Sequence, residues 1–352
     1  MHTPDLIIEK NKGVAHIILN RPSALNAINL EMVRDMHTYL KEWATDDAIH
    51  VVVVSGAGEK AFCAGGDIRT LYESMKGGRQ EHLNFFKEEF ALNEYIYTYP
   101  KPYIALLDGY VMGGGMGISQ GASYRIATER TKLSMPETAI GYFPDVGGSY
   151  FLSRCPDSIG IYLGLTGKSI QGQDAVFSRL ADWVMDSSQL SFFLQALETL
   201  ENSSPLPGQI DKLLESLGAA NHAVAASFTA IGKQIAQCFS LEAIPAIEKA
   251  LQKLDQEAPA EWISEALKKI SKNSPLAMAA TLRMIQAGKS LSLSQCFVME
   301  LTLAEHWMKI GDFIEGIRAL IIDKDNSPQW RYTTADLSVE QLHALLPELY
   351  PH

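Results

Sequence analysis

Two carboxylates and two clusters of adjacent glycines are the features of this chain whose residue types and spacing suit chemistry. The segment MPETAIGYFPDVGG, residues 135–148, carries Glu137 and Asp145 in apolar surroundings punctuated by Gly141, Pro144, Gly147 and Gly148. An unpaired carboxylate out of water is costly. Acids in such a place are helix caps, ion-pair members, or groups kept for proton transfer or nucleophilic attack. The glycines lie in AFCAGGD, residues 61–67, and in VMGGGMG, residues 111–117. Glycine at a strand end lets main-chain N–H groups converge without a side chain in the way. Two such turns on neighbouring strands would aim two amides at one oxygen, an oxyanion hole in outline. Each turn taken singly also reads as tight packing.

Two rival motifs overlap the second cluster. GISQG, residues 117–121, matches the GxSxG elbow of serine hydrolases. The glycines before it already make the strand-to-helix turn, so Ser119 falls about one turn inside the helix, away from the tip. A dinucleotide fingerprint counted from Gly115 needs glycine at Gln120, and the next glycine is Gly121. Cys63, Cys155, Cys238 and Cys296 are far apart, show no metal-ligand spacing and read as buried free thiols. His16, His37 and His50 precede the loops with no local partner pattern and read as structural or surface residues.

The elements that must position these groups read as an α/β body. LIIEK and AHIILN form a strand pair turning at Asn11 to Gly13, and a helix follows around Leu30 to Trp43 with apolar residues at spacings of three and four. IHVVVVSG is a strand buried on both faces, as in a parallel sheet flanked by helices. PYIALLDG and YRIATE continue that rhythm. ENSSPLPGQ reads as a loop, and beyond it strand patterns give way to helices. One is SPLAMAATLRMIQAG, with Ser274 as cap, Pro275 in its first turn and Gly288 as stop; SLSQCFVMELTLAEHWMKI and DFIEGIRALIID read as amphipathic helices.

At 352 residues, 47% hydrophobic and 20% charged, the chain has the composition of a globular protein with room for two domains. Its formal charge of −11 argues against a nucleic-acid surface. The N-terminal MHTPDLIIEKNKG lacks the pattern of a signal or transit peptide, and no apolar run of about 18 residues offers a membrane span. A soluble protein of the reducing cytoplasm is expected.

AFCAGGDIR, GYVMGGGMGIS and MPETAIGYFPDVGG together resemble the crotonase superfamily, the acyl-CoA enzymes that include enoyl-CoA hydratases and isomerases, over roughly residues 5–200. The resemblance implies an α/β fold, a crotonase-like spiral of ββα units with a helical C-terminal region. It divides the chain into an acyl-CoA-binding core over 1–205 and a helical region over 206–352. It assigns the two oxyanion amides to Gly66 and Gly114 and the catalytic acid to Glu137. Family hydratases carry a second glutamate shortly after the glycine triplet, where this chain has Gly117. Asp145 instead, with FFKEEFALN around Glu89 and DFIEGIRALIIDKDNSPQW at 312–330, resembles the branch that hydrolyses short 3-hydroxyacyl-CoA thioesters in valine breakdown.

What this implies for the residues is specific. Gly66 and Gly114 stabilise the oxyanion, and Glu137 either attacks the carbonyl to form a mixed anhydride or acts as base on water. Asp145 orients the water or acyl group, or is a structural acid bonding loop amides. Glu89 accepts from the substrate's 3-hydroxyl, or is a solvated helix acid beside Lys87 and Glu88. Ala64 and Asp67 belong to the substrate-binding first loop, which Lys60 and Arg69 flank as cations for the coenzyme A phosphates or as plain solubilising charges. Coenzyme A enters as part of the substrate, with no metal or other cofactor implied. Nucleic acid and membrane are not expected partners. The helical region packs on its own body or on another copy in a homo-oligomer. The competing readings are an enoyl-CoA isomerase working with Glu137 alone and an acyl-CoA-binding protein without turnover.

Overall fold

The computed structural model describes residues 4–200, 205–222 and 226–349. Two compact units are interleaved along the chain: one of Met1–Asp67, Ala91–Leu133 and Ile170–Ser227, the other of Ile68–Phe90, Ser134–Ser169 and Phe228–His352.

The first unit is built on a six-stranded sheet. β1 (Leu6–Asn11) and β2 (Val14–Leu19) form the expected antiparallel hairpin, its two-residue turn made by Lys12 and Gly13, both at positive φ. β3 (Val51–Gly56), β5 (Tyr103–Leu107), β7 (Tyr124–Ala127) and β9 (Trp183–Val184) add to β2 in that order, all parallel. The β-branched run of β3 is buried on both faces, as its composition demands. Val51, Val53, Ile104, Leu106 and Ile126 pack with Phe193, Leu197, Ile210 and Leu214 in one apolar cluster. A smaller sheet of β4 (Ala61–Cys63), β6 (Tyr110–Met112) and β8 (Lys132–Ser134) carries the glycine turns at the ends of its first two strands. α1 (Leu30–Ala44) starts at Asn29, whose side chain accepts from the Met32 N–H, and buries Met32, Val33, Met36, Leu40 and Trp43 along one stripe.

The second unit is helical. α2 (Ile68–Lys76) and the first part of α3 (Glu81–Tyr97) belong to it, followed in sequence by α5 (Gly148–Ser153) and α6 (Ile159–Thr166). α4 (Gly114–Gln120) lies in the first unit. The first unit also holds α7 (Gly172–Phe177), α8 (Leu190–Leu197) and α9 (Leu206–Ser216). The rest of the second unit runs α10 (Phe228–Phe239), α11 (Ile244–Glu257), α12 (Glu261–Ile270), α13 (Pro275–Gly288), α14 (Leu293–Ile310), α15 (Phe313–Ile317) and α16 (Val339–Leu345). Among the described residues no helix is long and apolar enough to cross a membrane.

Three local expectations change. The first four residues of ENSSPLPGQ lie outside the described residues, as do the first three of the chain, but Leu206–Gln209 are already the first turn of α9. Pro207 is tolerated there because the first helical N–H groups have no partner to lose. α13 is capped by Ser274 and ends at Gly288 as read, yet Gly288 is there for packing: a Cβ would stand 2.0 Å from the Ser149 carbonyl oxygen of α5. DFIEGIRALIID is no single amphipathic helix, because α15 gives way to a π turn over Arg318–Ile322. In that stretch Arg318 gathers the carboxylates of Glu315, Asp323 and Asp325.

Candidate active site

The first glycine turn follows β4. Ile28 bridges to Gly66 in parallel fashion, using the Gly65 carbonyl (2.9 Å) and the Asp67 N–H (2.8 Å). In that geometry the N–H of Gly66 itself points to the side away from Ile28. No backbone carbonyl among the described residues accepts it. The neighbouring Ala64 N–H is spent on the Leu25 carbonyl at 3.0 Å. The second turn follows β6, where Gly113 (φ +47°) starts α4 and Gly114 is its first residue, so the Gly114 N–H is one of the unpaired donors of a first helical turn. The two turns touch. A Cβ on Gly65, whose φ is +109°, would lie 3.8 Å from the Gly114 nitrogen, and one on Gly115 would strike the Cys63 carbonyl at 2.3 Å. Both turns lie in the first unit.

Ser119 is fully buried within α4 and its hydroxyl donates back to the Gly115 carbonyl at 2.8 Å. The GxSxG match is therefore a helical coincidence.

The second unit gathers the acids. Glu137 opens a 3₁₀ turn, Glu137–Ile140; Asp145 follows in the loop before α5; and Glu89 comes from α3. All three are buried, at 7%, 6% and 2% exposure. Burial raises the Glu89 carboxyl well above the usual range, and the charges of Asp145 and Glu137 push the same way. Glu137 is raised by burial and then by Asp145. Asp145 is raised by burial and then by the charge of Glu300. Each of the three is thereby held toward its neutral form. One Oε of Glu89 and one of Glu137 have no hydrogen-bond partner among the described residues, an expense that a site keeps where the oxygen is wanted for a substrate. Tyr142, buried and stacked on Phe143, faces the Asp145 carboxyl. Glu89 is thus no solvated helix acid, although its neighbour Lys87 is exposed.

Residues of the C-terminal helices and the loops between them hold this segment. The Glu137–Ile140 turn ends in Gly141 (φ +72°), which lies against Asp312 so closely that a Cβ would meet its carbonyl oxygen at 2.6 Å. Trp307 donates its ring N–H to the Gly141 carbonyl at 2.9 Å, Asn273 bonds the Thr138 hydroxyl, and Gly316 leaves room for the Ile140 carbonyl. Sequence reasoning missed Glu300. It is fully buried on α14 and accepts from the Gly147 N–H (2.7 Å), the Ser149 N–H (2.9 Å) and the Ser149 hydroxyl. The signal was present: Cys296, Phe297, Leu303, Ala304 and Trp307 form the buried stripe of α14, and Glu300 falls on it.

Asp67 pairs with the Arg21 guanidinium at 2.8 Å, Lys60 is exposed in the turn before β4, and Arg69, exposed on α2, reaches the Ile321 carbonyl at 3.4 Å. Position 117, where a hydratase has its other glutamate, is a buried glycine of α4. Among the described residues no group of His, Cys, Asp or Glu is arranged to hold a metal ion.

Comparison with known proteins gives this geometry a context. A family model described as enoyl-CoA hydratase/isomerase matches residues 14–346. The 3-hydroxyisobutyryl-CoA hydrolase, mitochondrial, of Danio rerio is 39% identical over 330 residues, covering 94% of this chain and 86% of its own. The protein of that name from Homo sapiens is 38% identical, with 93% and 84% covered. Among solved structures, an enoyl-CoA hydratase from Rhodobacter sphaeroides superposes with a TM-score of 0.87 at 34% identity, covering 99% of this chain and 98% of that one. A carnitinyl-CoA dehydratase from Mycobacterium thermoresistibile gives 0.89 at 33%, with 98% and 96% covered. With the crotonase-type glycine turns and acid segment all in place, the chain belongs to the enoyl-CoA hydratase/isomerase family.

Proposed function

We propose that the protein hydrolyses the thioester of a short 3-hydroxyacyl-CoA, foremost 3-hydroxyisobutyryl-CoA, releasing 3-hydroxyisobutyrate and coenzyme A as a step of valine breakdown. The observation that carries the reading is the acid set: Glu137 and Asp145 buried together with Glu89, and glycine at 117 where hydration would need a second glutamate. The relatives named as hydrolases of this thioester, matched along most of their length, support it.

The chemistry assigns each group one task. The amides of Gly66 and Gly114 polarise the acyl oxygen, and removing one such donor elsewhere costs about 3 kcal/mol of barrier. Glu137 supplies oxygen to the carbonyl carbon, directly as a mixed anhydride or through a water it deprotonates. The departing thiolate, with a pKa near ~8.5, needs little acid assistance. Asp145 orients the water or the acyl group, and the unpaired Glu89 oxygen accepts from the 3-hydroxyl. Lys60 and Arg69 serve the coenzyme A phosphates, and Ala64 and Asp67 belong to the substrate-binding first loop. Coenzyme A enters with the substrate, and the reading asks for no other cofactor, nucleic acid or membrane.

The test is purified protein given 3-hydroxyisobutyryl-CoA and, separately, a 3-enoyl-CoA. Thiol release from the first with no double-bond migration in the second supports hydrolysis. Migration without thiol release makes the protein an isomerase, and an intact thioester after hours of stoichiometric binding makes it a binding protein. The vertebrate relatives are named mitochondrial; the cytoplasmic location we propose is checked by fractionating the source cells, and a homo-oligomer by light scattering.

A further inference from the structure

Glu300 takes no part in the chemistry just assigned, yet the backbone beside Asp145 depends on it. Its buried carboxylate accepts from the N–H groups of Gly147 and Ser149 and from the Ser149 hydroxyl. Those amides open α5, and the cap residue of that helix, Gly147, has no side chain to accept them. Between Asp145 and Gly147 stands Val146 at φ +53°, with Gly147 at +88°. A β-branched residue in the left-handed region is a conformational outlier. It persists only where its surroundings over-determine it.

We infer that Glu300 is a positioning residue, a remote cap on α5 that clamps the Val146–Gly147 turn and thereby fixes the Asp145 carboxyl beside Glu137 and Glu89. The inference rests on the hydrolytic reading of Asp145. Asp145, Tyr142 and Cys296 face Glu300, and Glu89, Glu137 and Tyr142 face Asp145. Arg154 is the cation near Cys296. Burial pushes Glu300 up to about 7 against its three hydrogen bonds, and its negative charge raises Asp145 in turn. Glu300 therefore sets both where Asp145 lies and at what pH it ionises.

Two variants of the full chain separate the roles. Glu300→Gln keeps the shape but loses the charge and one acceptor; Glu300→Asp keeps the charge but shortens the reach. In Glu300→Gln, kcat for thiol release is expected to fall about 100-fold, as for a misplaced catalytic group. KM should stay within about threefold, the acidic limb of the pH profile should move to lower pH, and the Gly147 and Ser149 amides should lose protection from hydrogen exchange. Glu300→Asp should lower kcat and amide protection while leaving the limb in place. Unchanged kcat in Glu300→Gln, or a reduced kcat with an unmoved limb, overturns the inference. If Glu300→Gln does not fold, Glu300→Asp decides through kcat and exchange, full values of both being the refutation. A wild-type chain without hydrolysis refutes the hydrolase reading instead, and amide exchange still reports on the clamp.

Discussion

The glycine turns of the first unit and the acid segment of the second reach their geometry by opposite means. The turns are shaped by what is absent: Gly65 adopts a φ of +109°, and Gly115 leaves a gap that the Cys63 carbonyl fills. The groups proposed to act there are main-chain amides, neutral at every pH and cheap to keep. The acid segment is shaped by what is present. Glu137 and Asp145 are aimed by Thr138, Gly141 and Gly147, which are held in turn by Asn273, Trp307, Asp312 and Glu300. Its groups are ionisable, crowded and costly to bury. If both regions serve the proposed hydrolysis, activity should fail by clash in the first and by altered charge in the second.

The sharpest break comes from Glu137→Gln, which preserves volume and removes the proton-accepting oxygen. Thiol release should drop by about 10³-fold or more, the upper range for one acid–base group, with coenzyme A binding, measured by calorimetry, little changed. Gly115→Ala attacks the other region through packing alone. The new Cβ would stand 2.3 Å from the Cys63 carbonyl, so β4 and the Gly66 amide must shift. A loss of about 10²–10³-fold in kcat is expected, as for removal of an oxyanion donor, with about 1–3 kcal/mol of stability lost to overpacking, read by urea unfolding.

The same contrast governs what the sequence made legible. Glycine turns are local, so AFCAGGD and VMGGGMG were readable as turns from the residues alone, whereas the smaller sheet that carries them was not, its three strands being only three residues long each. Glu137 and Asp145 were conspicuous for the same reason, being acids among apolar residues within one short stretch. Glu89 was ambiguous because Lys87 and Glu88 beside it look solvated, and only the α3 face it occupies shows it buried. Glu300 was illegible as a partner. Its hydrogen bonds span 151 and 153 positions, and nothing in a local pattern encodes such a pairing. The interleaved units hide equally well, since each is assembled from three separate stretches.

A smaller effect of opposite sign tests the cost of the acids. Glu89 is raised by burial and by two neighbouring carboxylates, so the folded state binds a proton that the unfolded state has already released above the ordinary carboxylate range. Stability must then fall as pH rises from that range through the raised value of Glu89. Glu89→Gln removes the penalty. It should stabilise the fold at pH 8 by about 1 kcal/mol or more, each tenfold change in proton affinity being worth ~1.4 kcal/mol, and add little at pH 4, as measured by urea unfolding at both. Activity on the 3-hydroxyacyl thioester should fall at the same time. An equal gain at both pH values would mean that shape, not charge, sets the cost.

The smallest effect belongs to Ser119, the only hydroxyl that α4 carries among the described residues. If the first unit works through its backbone alone, deleting this side chain should change almost nothing. Its Oγ is fully buried and occupied by the Gly115 and Met116 carbonyls at 2.8 and 3.2 Å, a back-bond that competes with the helix rather than building a site. In Ser119→Ala those carbonyls keep their helical partners. The expected outcome is kcat within about twofold of the parent and a stability change of about 1 kcal/mol or less. A loss near that of Glu137→Gln would move the nucleophile into α4 and turn the GxSxG match from coincidence into mechanism. A null result leaves the main-chain amides as the proposed chemistry of that turn, whose Gly113 sits at φ +47° and whose Gly115 makes room for the Cys63 carbonyl.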